Sequence, residues 1–151
     1  MAESHGKAID SSQDFVASAI ENSDKPFEDS MKAIQADKIQ FSEGEDHDAI
    51  LQNLRILVER GWTVDDAGIG IDKTFKFKAW MKCIGFTARI GLESKAFNHH
   101  PVIVLRYGNV WVKWTTHRPY GLSSKDIRMA MYCDEMAEAT NASNASIEFK
   151  E

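Results

Sequence analysis

Apolar positions Ile50, Leu51, Leu54, Leu57 and Val58 recur every three or four residues behind Asp46 and Asp48, and Gly61 closes the run. Such spacing places the side chains on one helical face, aspartate caps a first turn, and glycine suits the left-handed residue that ends a helix, so a helix is predicted over residues 47–60. The period then shortens to two. In residues 71–78, Phe75 and Phe77 alternate with Lys76 and Lys78, and together with residues 62–64 and the turn DDAGIG this reads as a β-hairpin with one wet face. Residues 79–97 return to helical spacing without a proline and carry two stripes, Met81/Ile84/Ala88/Leu92 and Cys83/Phe86/Ile90/Phe97. A helix apolar over so wide an arc needs cover on more than one side. A second hairpin follows, residues 102–105 and 110–116 about Tyr107, Gly108 and Asn109. Ser123 then caps a last helix to about residue 139, with Ile127, Ala130 and Met131 on one side and Met129, Cys133 and Met136 on the other. The order α-β-β-α-β-β-α predicts an α+β fold: a four-stranded antiparallel sheet with helices packed on one face.

Ahead of residue 47 the pattern breaks, and FVASAI and FEDSMKAI are short stretches interrupted by Asp, Ser, Gly and Pro26. Charge divides at the same place. Residues 1–46 hold 11 Asp/Glu and 4 Lys, and residues 47–151 hold 12 acids and 14 Lys/Arg, so the net charge of −5 splits into −7 and +2. The chain is therefore expected to comprise an acidic N-terminal extension (1–46), flexible or loosely docked, one domain (47–139) and a polar C-terminal tail (140–151). A near-neutral body lacks the clustered basic face that a phosphate backbone requires, so direct nucleic-acid binding is not expected. At 43% hydrophobic and 27% charged residues the composition is that of a soluble globular domain. No apolar run reaches the ~18 residues of a membrane span. Cys83 and Cys133 show no CxxC spacing, which argues against a disulfide framework or a thiolate zinc site and for a reducing compartment. The opening MAESHGKAIDSSQDF has acids where a targeting leader carries Lys or Arg, so no leader is expected. The two sequons, at Asn141 and Asn144, read as part of a polar tail.

Three of the five histidines lie in FNHHPVIVLRYGNVWVKWTTH: His99, His100 and His117. Strand alternation over residues 110–116 puts Val110, Val112 and Trp114 on one side and Trp111, Lys113 and Thr115 on the other. One residue further, His117 joins the second set, which makes a pocket at the end of the sheet plausible. By itself His99-His100-Pro101 reads first as a polar turn leaving a helix, where the dipole favours histidine. Adjacent histidines point in different directions and no Cys or acidic ligand stands at a recognisable spacing, so the pattern does not point to a metal. Asp126 completes a Ser-x-x-acid capping pattern with Ser123, which alone accounts for it.

The run Lys95-Ala96-Phe97-Asn98-His99-His100-Pro101, followed at fixed intervals by Tyr107, His117 and Asp126, resembles the signature of the pterin-4a-carbinolamine dehydratases. The resemblance extends from Leu54, Gly61 and Trp62 through Phe75-Lys76-Phe77-Lys78 to Thr116-His117, Gly121-Leu122-Ser123, Asp126 and Ala130, roughly residues 47–137. Several spaced elements in the right order carry it where none would alone. It implies the fold read above, assembled as dimers or tetramers. It also implies dehydration of 4a-hydroxytetrahydropterin to quinonoid dihydropterin, the recycling step after aromatic amino acid hydroxylation.

That reaction needs a proton for the departing hydroxyl, an acceptor for the proton on the ring nitrogen, and a slot for the ring. Histidine suits both proton roles, since an unperturbed imidazole of pKa ~6.5 is about a quarter protonated at neutral pH. No cofactor is required. The resemblance assigns catalysis to His99, His100 and His117, with His99 and His117 as proton donors on either side of the ring and His100 binding the pterin or relaying its proton. Asp126 supports an imidazole. Where several relatives carry Glu this chain has Lys95, so no carboxylate acts there. The Trp common two residues after the proline is Ile103, which leaves Tyr107 and Trp111 as the aromatic candidates for substrate binding. The implied partners are the pterin and further copies of the chain, in the cytoplasm or also the nucleus, with no membrane. A second function class follows from a vertebrate member that serves as dimerisation cofactor for a homeodomain transcription factor: a protein-binding module on the same fold.

Overall fold

The computed structural model describes residues 34–143, so residues 1–33 of the expected extension and residues 144–151 of the expected tail lie outside the described residues. Helix α1 (His47–Glu59) begins at Asp46, whose side chain accepts from the Ala49 N–H, and buries Ile50, Leu54 and Leu57. It ends where Gly61 takes φ 97° and the Trp62 N–H returns to the Leu57 carbonyl. This left-handed stop throws the Trp62 ring into the core, where it is 2% exposed. Strands β1 (Thr63–Val64) and β2 (Gly70–Lys76) form the first hairpin, α2 (Trp80–Ala96) follows, and β3 (Val102–Arg106) and β4 (Asn109–His117) form the second. A two-residue strand β5 (Tyr120–Gly121) folds back on β4 before α3 (Ser124–Ala142).

The sheet is antiparallel throughout in the order β1-β2-β4-β3. The register pairs Ile71 with Trp114, Phe75 with Val110 and Ile103 with Val112, and these residues share the face that meets the helices. Phe86 of α2 sits between Phe75 and Phe77 at centroid separations of 4.8 and 5.0 Å, so the middle helix is keyed into the sheet by aromatic contact. The opposite sheet face is mixed, with Val102 and Val104 beside Lys113 and Trp111. Asp72 stands across from Lys113 and Thr74 from Trp111, and the Trp111 indole N–H donates to Asp72 Oδ1 at 3.2 Å. The expected α+β architecture is the observed one.

Helix α2 treats its two stripes differently. Cys83, Phe86 and Ile90 are fully buried, whereas Met81 is 38% and Leu92 72% exposed. Among the described residues the first stripe is covered only in part, with Ile84 half-buried between the exposed ends.

The described part of the segment ahead of α1 packs on the domain. Ile34 and Ile39 are 4% and 8% exposed, and Phe41 bridges Leu122 through Ser42 N–H to Leu122 O and Leu122 N–H to Gln40 O, both 2.8 Å. Two glycines admit the segment. A Cβ on Gly121 would lie 2.7 Å from Ser42 N, and one on Gly68 would collide with the Lys38 carbonyl. Charge patterning marked the region as an appendage because its few apolar residues find partners only in distant parts of the chain. At the other end, α3 runs past residue 139 to Ala142, with Thr140 buried.

A chain beginning at Gly44 is expected to lose roughly 3 kcal/mol or more of stability, since two nearly buried isoleucines and a backbone bridge leave with the segment. Gly121→Ala is expected to cost at least about 1 kcal/mol by pushing the segment away. Urea unfolding of each protein measures both, and an unmoved midpoint would show that residues 34–43 merely lie on the domain.

Candidate active site

The last turn of α2 sets the geometry. Phe97 caps the helix, Asn98 takes the left-handed conformation at φ 50°, and the His99 N–H donates to the Ser94 carbonyl at 2.9 Å while Asn98 N–H donates to Lys95 O at 3.1 Å. This is the same closing motif that ends α1, with asparagine in place of glycine, one of the few other residues that tolerate the conformation. It turns His99 inward, as Gly61 turns Trp62.

There the His99 Nε2 lies 2.6 Å from Asp126 Oδ1. Asp126 has no exposed surface. Its other oxygen, Oδ2, accepts from Thr116 Oγ1 at 2.8 Å and from the Ser123 N–H at 2.9 Å, and the latter bond closes the capping box of α3. Because Thr116 has a single hydroxyl hydrogen and gives it to Asp126, Ser123 Oγ is the donor in their 2.6 Å contact. The capping role read from the sequence and the imidazole-holding role are thus filled by two oxygens of one carboxylate. A carboxylate accepts, so His99 carries its hydrogen on Nε2 and leaves Nδ1 as the nitrogen able to exchange a proton. The ring lies nearly parallel to Trp114, centroids 5.4 Å apart, and the Trp114 N–H reaches Cys133 Sγ at 3.4 Å. Burial pushes the Cys133 thiol up to about 12, so the group behind the tryptophan stays protonated.

His99 forms part of the wall of a cavity of about 380 Å³ that also takes in His100, Thr116 and His117. The three histidines come from two chain segments, one leaving α2 and one ending β4, and meet at this opening. His100 and His117 are exposed. Arg118 and Lys125 complete the rim, and the sequence reading did not single out either. Trp114, Thr116 and Ser123 were also missed as site residues, although continuing the strand alternation to Thr116 puts a hydroxyl on the buried face beside the expected histidine. Tyr107 and Trp111 are not on this cavity in the single chain. Tyr107 sits in the β3–β4 turn, 77% exposed, at the far end of β4 from His117, and Trp111 faces the open side of the sheet. Among the described residues no three His, Cys, Asp or Glu side chains gather as a metal site, and no helix is long and apolar enough to cross a membrane.

The family profile described as pterin 4 alpha carbinolamine dehydratase matches residues 43–136, a span that contains the three histidines and Asp126. The chain belongs to the pterin 4 alpha carbinolamine dehydratase family. Relatives in the family include proteins named "Putative pterin-4-alpha-carbinolamine dehydratase". The one from Rhizobium johnstonii is 36% identical over 77 residues, covering 51% of this chain and 76% of the relative. That from Saccharolobus islandicus is 35% identical over 85 residues, covering 56% and 86%. The crystal structure of a transcriptional coactivator/pterin dehydratase from Brucella melitensis superposes with a TM-score of 0.55 at 32% identity, over 61% of this chain and 96% of that one. Residues 34–42 precede the span that the dehydratase profile matches.

Asp126→Ala is expected to cost about 2–4 kcal/mol, because it strands the Thr116 hydroxyl, the Ser123 N–H and the imidazole in a buried place. Asp126→Asn keeps the cap but turns an amide N–H toward His99, so its imidazole is expected to move its hydrogen from Nε2 to Nδ1. Nitrogen NMR of the ring reads this directly, and an unchanged tautomer would refute the assignment of the 2.6 Å contact.

Proposed function

We propose that this chain dehydrates 4a-hydroxytetrahydropterin to quinonoid dihydropterin by histidine general acid/base catalysis, as in tetrahydrobiopterin recycling. The observation that carries the reading is the convergence of His99, His100 and His117 on one cavity, with His99 anchored by a fully buried carboxylate. The pterin's N5 lone pair expels the 4a hydroxyl. One imidazole protonates that hydroxyl as the C–O bond breaks, another accepts the proton from N5, and water leaves with the proton count balanced. His99 and His117 are the pair proposed for these transfers, since they approach the opening from the α2 and β4 sides. His100, beside them, binds the pterin or relays its proton. A proton taken by His99 leaves an imidazolium facing Asp126, the arrangement a carboxylate stabilises. No cofactor enters this scheme. Tyr107 and Trp111 contribute to pterin binding only through a neighbouring subunit's cavity, given where they stand. The cytoplasm, or also the nucleus, is the proposed compartment.

The proposed assembly is a homo-oligomer, dimer or tetramer. The partly covered α2 stripe with Met81 and Leu92, and the outer edge of β3 with Val102 54% exposed, support a second copy as its partner. A second reading, a protein-binding dimerisation cofactor for a transcription factor without direct nucleic-acid contact, draws support from the name of the Brucella neighbour and would use those same surfaces.

Stopped-flow dehydration of freshly generated 4a-hydroxytetrahydropterin tests the first reading, and no acceleration at micromolar protein would sink it in favour of the second. His99→Ala and His117→Ala are expected to slow the reaction by roughly 10²-fold or more, the worth of a positioned acid or base. Activity is expected to survive exhaustive chelation, whereas loss with EDTA and rescue by zinc would demand another mechanism. Sedimentation at tens of micromolar is expected to show a dimer or larger species, and Leu92→Glu is expected to shift it toward smaller ones. A monomeric parent chain would refute the assembly.

A further inference from the structure

Beside the histidines the cavity wall carries two full cations and no acid. Arg118 follows His117 directly, and Lys125 stands on the first turn of α3. Two carboxylates stand close by without lining it: Asp126 is spent on His99, Thr116 and Ser123, and Glu45 on Ser124. A second cavity, of about 430 Å³, adjoins this one through the shared residues His99 and Lys125, and adds Arg128, which lies 3.8 Å over the Phe97 ring. It too has no acid on its wall.

Elsewhere two half-buried lysines meet carboxylates. Lys73 meets Asp134 at 2.7 Å and Lys113 meets Asp65 at 3.0 Å. Arg118 and Lys125, both exposed, have no such partner among the described residues. Cations gathered without counter-charge around a concave opening raise the local concentration of anions and form charge-assisted hydrogen bonds to an oxyanion that enters. The first turn of α3 adds nothing to this field, since its N–H groups are taken, that of Ser124 by the Glu45 carboxylate and that of Lys125 by Ser123 Oγ.

We infer that the pterin taken by this chain carries an anionic group on its C6 substituent, a phosphate monoester or a carboxylate, held by Arg118 and Lys125. This rests on the dehydratase reading, which puts C4a of the pterin at the histidines. Only N5 separates C4a from C6, so a C6 substituent must leave the ring alongside the residues that act on C4a. Arg118, next in the chain after His117, and Lys125, next to His99 across the cavity, stand where such a substituent emerges. A neutral dihydroxypropyl tail gives these cations nothing to neutralise, whereas a phosphate at its end does.

The test is equilibrium binding to the full chain, by fluorescence titration, of 7,8-dihydroneopterin, its 3′-monophosphate and 7,8-dihydrofolate, the last bearing glutamyl carboxylates. At about 50 mM salt at least one anionic ligand is expected to bind ten times or more tighter than dihydroneopterin, as two charge-assisted contacts imply. The preference is expected to shrink severalfold at about 0.5 M salt, where the screening length falls below 5 Å. In the Arg118→Gln/Lys125→Gln double variant the ratio of the neutral to the anionic dissociation constant is expected to collapse toward one. Loss of fold abolishes binding of both and cannot imitate a changed ratio, and the salt series on the parent chain stands whether or not the variant folds. Equal affinities, a preference for the neutral ligand, or a preference indifferent to salt would overturn the inference. If a neutral 4a-hydroxytetrahydropterin is dehydrated with no anionic preference in binding, the anion site fails and the dehydratase stands. Binding of none of the three, with no dehydration, removes both.

Discussion

A carboxylate with no exposed surface holds the functional end of this protein together. Leaving an ionised group in the interior costs several kcal/mol unless its lone pairs are filled, and Asp126 fills them from three directions: Thr116 at the end of β4, the Ser123 backbone at the start of α3, and His99 just beyond α2. Each donor belongs to a different element, so the two ends that carry the histidines cannot drift apart without stranding a buried charge. The helix start that the carboxylate caps also favours it electrostatically. Fold and site are therefore stabilised by the same bonds, and the geometry of His99 is set before any ligand arrives.

The remaining constraints act on either side of that group. Toward the core, Trp114 lies against the imidazole and its N–H reaches a thiol that burial keeps protonated, so this flank is inert packing. Toward solvent, His100, His117 and the unpaired cations make a polar opening. His99 is the boundary between the two. Its position there depends on a left-handed asparagine at the end of α2, which reverses the chain within two residues.

Charge follows the same division of labour. The half-buried lysines of the sheet and helix packing, Lys73 and Lys113, have carboxylate partners, and the Trp62 N–H also binds Asp134, so electrostatics there serves the fold. Around the cavity Arg118 and Lys125 have no carboxylate partner among the described residues. The segment over Gly68 and Gly121 closes the neighbouring surface, and through Ser42 Oγ to the Pro119 carbonyl at 2.7 Å it holds the turn that follows His117.

Much of this was legible in the sequence because it depends on local periodicity. The three helices, the two hairpins and their order follow from apolar spacing and from Gly61, Ser123 and the glycine turns, since a helical or alternating pattern must bury one face wherever it folds. His99, His100, His117 and Asp126 were readable from their spaced resemblance to a family, and the capping of α3 by Asp126 from four adjacent residues. What only tertiary structure decided is long-range. Residues 34–42 looked like appendage until Phe41 met Leu122 some eighty residues away, a bridge that no local pattern encodes. Trp114, Thr116, Arg118 and Lys125 became site residues only when the end of β4 was brought against α3, and Tyr107 and Trp111 were carried away from the cavity by the length and pleat of the same strand. Spacing along a chain determines which face a residue takes; which other face it meets is set by how the elements pack.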